Sequence, residues 1–443
     1  FGSSSSNVCW PAAFASVPFL LGMGLGSRSH RNADPAVLES CRGSCTGVSS
    51  PNGLLWELLG AGPPVICAPM VYGSELAFRM LVRSQGLRLC YTPMIRSEAI
   101  LAGAAEERRL LETCSEDRPL VVQLCGRDPS ILSEATRIVL SAFRADAVDL
   151  NLGCPQECAR AGGYGAFLQQ EPALVADCLA AMKEAAFPLP VFCKTRILET
   201  VDASVDFARG LQSAGCSLLA LHCRPRSAKH EGEPDFSHLS AVASALDIPV
   251  VANGGLRSLE ACQEVLSKTG AAAAMVATAL LRCHRAFSKD SLVTDPATAA
   301  VDMAWEYLSF AERFPPPSPR YPRKHLRWLF RDELEGAYTV ARQQWLDEPD
   351  CADWRVKVWT FLDRPFLTSI WQFQELVRVV AHHQGRPIPR HSASQREGSS
   401  SATSLRPLSF RSIRLGPRCE ADEVPSCGSG PEDDVDLGCL FDE

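Results

Sequence analysis

Val148-Asp149-Leu150-Asn151-Leu152-Gly153-Cys154-Pro155-Gln156 reads as a β-type apolar run that ends in an amide and a thiol, with proline fixing the backbone just beyond them. The glycine-rich Gly162-Gly163-Tyr164-Gly165-Ala166 follows, and its glycines let the chain pass close to whatever lies above the strand end. Taken alone, Cys154 is more simply an ordinary buried cysteine, because the chain has nineteen cysteines. Working outward, similar runs at 65–70, 89–92, 120–124, 191–197, 218–222, 249–253 and 273–277 join the strand at 147–152. Helix-length amphipathic segments at 74–84, 130–143, 172–186, 203–214, 236–246 and 259–269 lie between them. Strand and helix alternating through eight strands predict an α/β fold, a (β/α)8 TIM barrel, with an open doubly wound sheet as the alternative. The position of the polar residues favours the barrel. Met70, Gln123, Asn151 with Cys154, Lys194, His222 and Asn253 fall at successive strand ends, which closure would gather around one mouth.

A chain of 443 residues is too long for one core of ordinary size and predicts two domains plus tails. The expected boundaries are a flexible leader at 1–62, the barrel at 63–290, a smaller helical domain at 299–383 and a disordered tail at 384–443. A net charge of -7 excludes a surface coated with basic residues, so any nucleic acid would be held by a local patch. The cysteines are scattered singly, with no second pair of Cys or His at zinc spacing, so no metal and a reducing compartment are expected. Residues 8–26 carry no charge, but Pro11 and Pro18 interrupt them, and no stable membrane association is expected. The expectation is a cytoplasmic or nuclear monomer, with an organellar destination left open because the sequence begins at Phe1.

Beyond the barrel a Pro-rich bend at 315–322 separates helical stretches at 302–314 and 323–345, and further helix-prone sequence runs over 354–383. Arg323, Lys324, Arg327, Arg331 and Arg342 stand among Trp328, Phe330, Tyr338 and Trp345. That mixture suits a surface that neutralises phosphates and stacks on bases. It equally suits a solvated helix face over an aromatic core, and the pattern leaves both open.

The central run, together with Ala68-Pro69-Met70, Cys90-Tyr91-Thr92-Pro93-Met94, Tyr164-Gly165-Ala166-Phe167-Leu168, Lys194-Thr195-Arg196 and Ala252-Asn253-Gly254-Gly255, resembles the tRNA-dihydrouridine synthases. The resemblance covers about residues 63–285 and is most like the eukaryotic subclass acting on D-loop positions 16 and 17. It implies flavin mononucleotide (FMN) across the barrel mouth and NADPH, or NADH, as reductant. Pro69 and Met70 would pack on and bond the ring edge, and Gln123 would bond its pyrimidine part. Lys194 would supply the cation near N1 and C2=O, and His222 with Asn253, Gly254 and Gly255 would approach the phosphate. The implied reaction is reduction of the uridine C5=C6 bond in tRNA, hydride passing from flavin N5 to C6 while Cys154 gives a proton to C5. Asn151 would orient the uracil, which must be extruded from folded tRNA, and Arg196 and Arg224 would meet the uracil or nucleic acid.

The sequence departs from the family pattern in two places. His222-Cys223-Arg224-Pro225 stands where the family usually has His-Gly-Arg-Thr, and Ala277-Thr278-Ala279 replaces a Gly-Arg or Ala-Arg pair for the flavin phosphate. Thr278 can donate one hydrogen bond where a guanidinium would give a charged fork, and Arg282 and Arg285 are the nearby candidates to compensate. The alternatives are an FMN-dependent dehydrogenase of a free pyrimidine and an RNA-binding homologue impaired in catalysis.

Overall fold

Runs of apolar residues buried on both faces form parallel strands, because only a sheet covered by helices outside and closed on itself inside shelters them twice. The strands are β1 (Val65–Cys67), β2 (Cys90–Tyr91), β3 (Ile95–Arg96), β4 (Leu120–Cys125), β5 (Ala147–Leu152), β6 (Val191–Arg196), β7 (Leu219–His222), β8 (Val250–Asn253) and β9 (Ala273–Val276). The computed structural model describes residues 53–59, 64–229, 231–287, 296–331, 334, 354–363 and 367–387. Parallel pairing runs β1-β2-β4-β5-β6-β7-β8-β9 and returns from β9 to β1, which closes an eight-stranded TIM barrel. β3 is an addition outside the ring: two residues pairing with the far end of β4, too short to leave a period in the sequence.

All eight expected strands are present, and helices Leu76–Ser84, Pro129–Ala142, Pro172–Ala186, Val201–Ser213, Phe236–Ala245 and Leu259–Thr269 lie where amphipathic segments predict them. Their starts are set by local chemistry. Asp128 accepts the Ser130 and Ile131 N–H groups ahead of Pro129, and Thr200, Asp235 and Ser258 cap the helices that begin at Val201, Phe236 and Leu259 in the same way. A helix at Gly53–Leu59 falls within the expected leader and buries Leu55 and Leu59 in the core. The rest of the expected leader apart from these residues, and the tail from 388 onward, lie outside the described residues.

The C-terminal helices are Pro296–Arg313, Arg320–Leu329, Trp354–Asp363 and Ile370–His383. The first begins six residues earlier than its expected start at 302. The helix-prone stretch over 354–383 carries two helices, the second opened by a capping box between Ser369 and Gln372. Residues 338, 342 and 345 lie outside the described residues. In the described part of the basic and aromatic segment, Trp328 and Phe330 are 5% and 1% exposed, so these rings are core and do not stack on bases. The reason is amphipathicity: the helix turns its aromatic face inward, where Trp328 meets the edge of His325, and takes Arg327 with it, over the ring of Trp359.

These helices dock on the barrel through polar contacts as well as apolar ones. The buried Glu75 carboxylate accepts from the Tyr307 hydroxyl at 2.9 Å and from His325 Nε2 at 3.2 Å, and the His325 ring stacks on Phe78. Arg109 donates to the carbonyls of Pro316 and Pro317 in the proline bend. Among the described residues no helix is long and apolar enough to cross a membrane, and no group of His, Cys, Asp and Glu is arranged to hold a metal.

Since the C-terminal helices cover the Leu76–Ser84 helix around Glu75 and Phe78, deleting residues 299–443 is expected to destabilise the barrel by exposing that apolar face to water. Tyr307→Phe should lower the unfolding free energy by about 1 kcal/mol in a urea titration. A melting curve unchanged in both variants would contradict this account of the joint.

Candidate active site at the barrel mouth

Strand register brings the polar residues together. Gln123 pairs with Asp149, Asn151 with Lys194, and Arg196 with His222, which pairs with Asn253. Paired residues of neighbouring strands point to the same face of a sheet, and alternation puts this set inside the ring. There they bond one another. Gln123 Nε2 donates to Asp149 Oδ2 at 2.8 Å, and Asn151 Nδ2 donates to Gln123 Oε1 at 2.8 Å. Asn151 Oδ1 then accepts the N–H groups of Gly153 at 3.2 Å and Cys154 at 3.0 Å. One hydrogen-bonded row therefore runs from the barrel interior to the backbone of the cysteine.

Cys154 itself is partly buried beneath a roof of backbone. Ala166 N–H donates to the Cys154 carbonyl at 3.0 Å, and Gly165 sits at φ +66° directly over the cysteine. A Cβ at residue 165 would lie 2.7 Å from the Cys154 carbonyl oxygen and 3.0 Å from its Cβ, so only glycine closes the roof. Burial pushes the thiol up to about 11, against the milder opposite pull of a Gln156 backbone bond and of Arg196 and Lys194. At neutral pH it is a protonated thiol, able to give a proton and poor as a nucleophile.

Arg196 is turned inward. It is 2% exposed, and its guanidinium donates to the carbonyls of Gly153 at 2.7 Å and Lys229 at 2.5 Å, tying the cysteine loop to the loop after β7. Gln169 braces the same corner with bonds to Thr195 Oγ1 at 2.8 Å and to the Arg196 carbonyl at 2.9 Å. On the β1 side, Met70 is buried beside the half-buried Pro69, and a turn closed by Ser74 Oγ, 2.9 Å from the Met70 N–H, fixes its backbone.

Across the mouth, an open hollow is lined by residues 253–257 and 275–279. Asn253 Nδ2 donates to the Met275 carbonyl at 2.9 Å and so holds β8 to β9 at its edge. Gly254 and Gly255 have φ of +110° and +69°, and a Cβ on Gly254 would lie 2.8 Å from the His222 ring. Arg224 lies against this turn, its Nε bonded to the Gly232 carbonyl at 2.9 Å and its Nη1 3.4 Å from His222 Nε2. A glycine turn with no room for side chains, beside an imidazole and a guanidinium, fits a phosphate group. Lys194 near the barrel axis fits the electron-rich edge of a flavin ring.

Arg285, by contrast, is committed elsewhere. It pairs with Glu306, which His284 Nε2 also meets at 2.7 Å. Burial alone would raise the Glu306 carboxyl, yet these two neighbours hold it down at about 2. Thr278 lines the hollow, where its side chain is 8% exposed.

The sequence profile described as Dihydrouridine synthase (Dus) matches residues 66–315. The chain belongs to the dihydrouridine synthase family. It is 37% identical over 284 residues to a tRNA-dihydrouridine(16/17) synthase-like protein of Rattus norvegicus, covering 63% of this chain and 63% of that one. It is also 37% identical over 228 residues to a tRNA-dihydrouridine(20a/20b) synthase-like protein of Homo sapiens, 51% of this chain and 71% of that one. To the tRNA-dihydrouridine(16/17) synthase of Schizosaccharomyces pombe it is 35% identical over 261 residues, 57% and 64% of the two chains. All three names give NAD(P)+ as the nicotinamide. The chain spans about three fifths of the length of the 16/17-type relatives.

Within this dihydrouridine synthase barrel, sequence reasoning passed over Asp149 and Gln169 as functional residues. Asp149 was visible as a carboxylate on the inward parity of an otherwise apolar strand, two residues before Asn151. Gln169 left no signal, since its partners are 26 and 27 residues away.

Two outcomes test the geometry. Iodoacetamide at pH 7.5 is expected to label the exposed Cys158 well before Cys154, read by peptide mass mapping, because Cys154 stays protonated. Gly165→Ala is expected to cost roughly 1 kcal/mol or more in stability and to raise Cys154 labelling as the roof lifts. Labelling in the opposite order would remove the protonated, roofed thiol.

Proposed function

We propose that this protein reduces uridine in tRNA to 5,6-dihydrouridine with FMN and NADPH or NADH, Cys154 serving as the acid. The observation that carries the reading is a protonated thiol fixed at a barrel mouth by its own backbone hydrogen bonds. Bound flavin supplies hydride for C6 of the uracil. Everything else falls to the chain. The Cys154 thiol delivers a proton to C5, and its high pKa keeps that proton available across the physiological range. Asn151 and Gln123 offer amide N–H groups to ring carbonyls, and the Lys194 ammonium balances negative charge on the reduced ring. Arg196 acts on the cysteine loop through the Gly153 carbonyl rather than on the substrate. Pro69 and Met70 give the flat apolar wall.

The phosphate end falls to His222, Asn253 and the Gly254-Gly255 turn, with Arg224 as the neighbouring cation in place of one at residue 278. The substrate is tRNA modified in the D-loop, at positions 16 and 17 by likeness to the relatives so named. A monomer suffices, as every residue invoked comes from one chain.

The test separates proton donation from flavin reduction. Purified protein is expected to be yellow, and Cys154→Ala to stay yellow and still oxidise NADPH while forming dihydrouridine about 10²-fold more slowly. Cys158→Ala should change turnover little. Arg224→Ala should weaken FMN, measured by fluorescence quenching, while leaving riboflavin affinity where it was. Colourless protein that takes up no FMN, or equal turnover in wild type and Cys154→Ala on a verified tRNA, would overturn the reading.

A further inference from the structure

One buried carboxylate takes no part in the chemistry above. Asp149 is fully buried in the middle of β5, and a carboxylate there is costly unless its neighbours make use of it. Its Oδ2 accepts from Gln123, while Oδ1 has no hydrogen-bond partner among the described residues; nor has the hydroxyl of Tyr91, whose pKa burial raises first and the nearby Asp149 raises further. Lys194 on β6 is the cation that faces Asp149, and the Cys193 thiol is also within its field.

The directions of the bonds above Asp149 are chemically forced. Backbone N–H groups can only donate, so Asn151 must turn its oxygen to Gly153 and Cys154 and its nitrogen to Gln123. Gln123 must then meet that nitrogen with its oxygen, which leaves its own amino group pointing at residue 149, where only an acceptor satisfies it. Asp149 is that acceptor. Burial raises its carboxyl to about 7, and in either protonation state one unprotonated oxygen remains to take the Gln123 N–H. What the two amides have left over is two N–H bonds and one lone pair, a surplus of donors suited to a ring bearing carbonyls.

We propose that Asp149 is a positioning residue: as terminal acceptor of the Asp149-Gln123-Asn151 row it fixes both amides as donors toward a carbonyl-bearing ring and holds the Gly153-Cys154 backbone in register. The ring it serves rests on the proposed function, but the hold on the backbone does not. A row without its last acceptor leaves Gln123 free to turn over, and Asn151 then loses its partner.

The experiment compares Asp149→Leu, which removes the acceptor, with Asp149→Asn, which keeps a carbonyl oxygen and removes the charge. In the full-length protein, hydrogen exchange at the Gly153 and Cys154 amides is expected to speed up about tenfold in Asp149→Leu, as one lost hydrogen bond would give, and to be largely restored in Asp149→Asn. Dihydrouridine formation should follow the same order, with kcat reduced at least tenfold in Asp149→Leu relative to Asp149→Asn, KM for tRNA similar in the two, and NADPH oxidation by the flavin retained in both. Gln123→Leu, which removes the acceptor of Asn151 Nδ2 itself, should speed exchange at the same two amides at least as much as Asp149→Leu. Exchange that rises equally in the two Asp149 variants, or evenly across β4, β5 and β6, would overturn the proposal and leave Asp149 a packing residue. If wild type forms no dihydrouridine, the proposed function fails while the exchange comparison still decides the role of Asp149.

Discussion

Polar groups sealed inside a barrel are satisfied largely by one another, because each one left alone costs on the order of 1–3 kcal/mol. This barrel carries that obligation at its centre. Gln123, Asp149, Asn151 and Arg196 are all nearly inaccessible, and each is bonded to a neighbouring strand or to the cysteine loop. The strands cannot shift register without breaking several of these bonds together. A site built this way is fixed before any ligand arrives, and the energy of binding need not be used to assemble it.

The same obligation explains how the barrel and its C-terminal helices came to share residues. Glu75 follows β1 and is buried, so Tyr307 and His325 must come to it from sequence more than two hundred positions away. Arg285 and His284 are likewise taken up by Glu306. An arginine that lies near the phosphate hollow in sequence is thereby assigned to the joint between layers. Arg224 remains beside the glycine turn, and Arg257 lines the hollow that the turn borders.

Much of this was legible in the residues. Eight apolar runs with helices between them are local patterns, and every one of the eight became a strand because burial on both faces needs no distant information. Polar strand ends such as Asn151 and His222 could be seen for the same reason: they interrupt an apolar period. What escaped was everything fixed by pairing across the ring. The burial of Trp328 and Phe330 depends on which side of this segment is covered by its neighbours, and composition alone left that undecided. The inward turn of Arg196 depends on where the Gly153 carbonyl lies, 43 residues away in sequence. The start of the last helix at Ile370 follows from the Ser369 capping box, a local signal set within a run of good helix formers.

Closure between β1 and β9 bears on how the chain is made. Val65 pairs with Ala274 and Cys67 with Val276, so the first strand waits for a partner synthesised some two hundred residues later. Until then a nascent chain displays an apolar strand with one open edge, the arrangement most prone to wrong pairing. The strands that carry Gln123, Asp149, Asn151 and Lys194 pair with neighbours close in sequence and can assemble earlier on the ribosome. The chemical centre thus forms ahead of the seam that seals it, and a chaperone acting on this protein would have the β1 edge as its natural target.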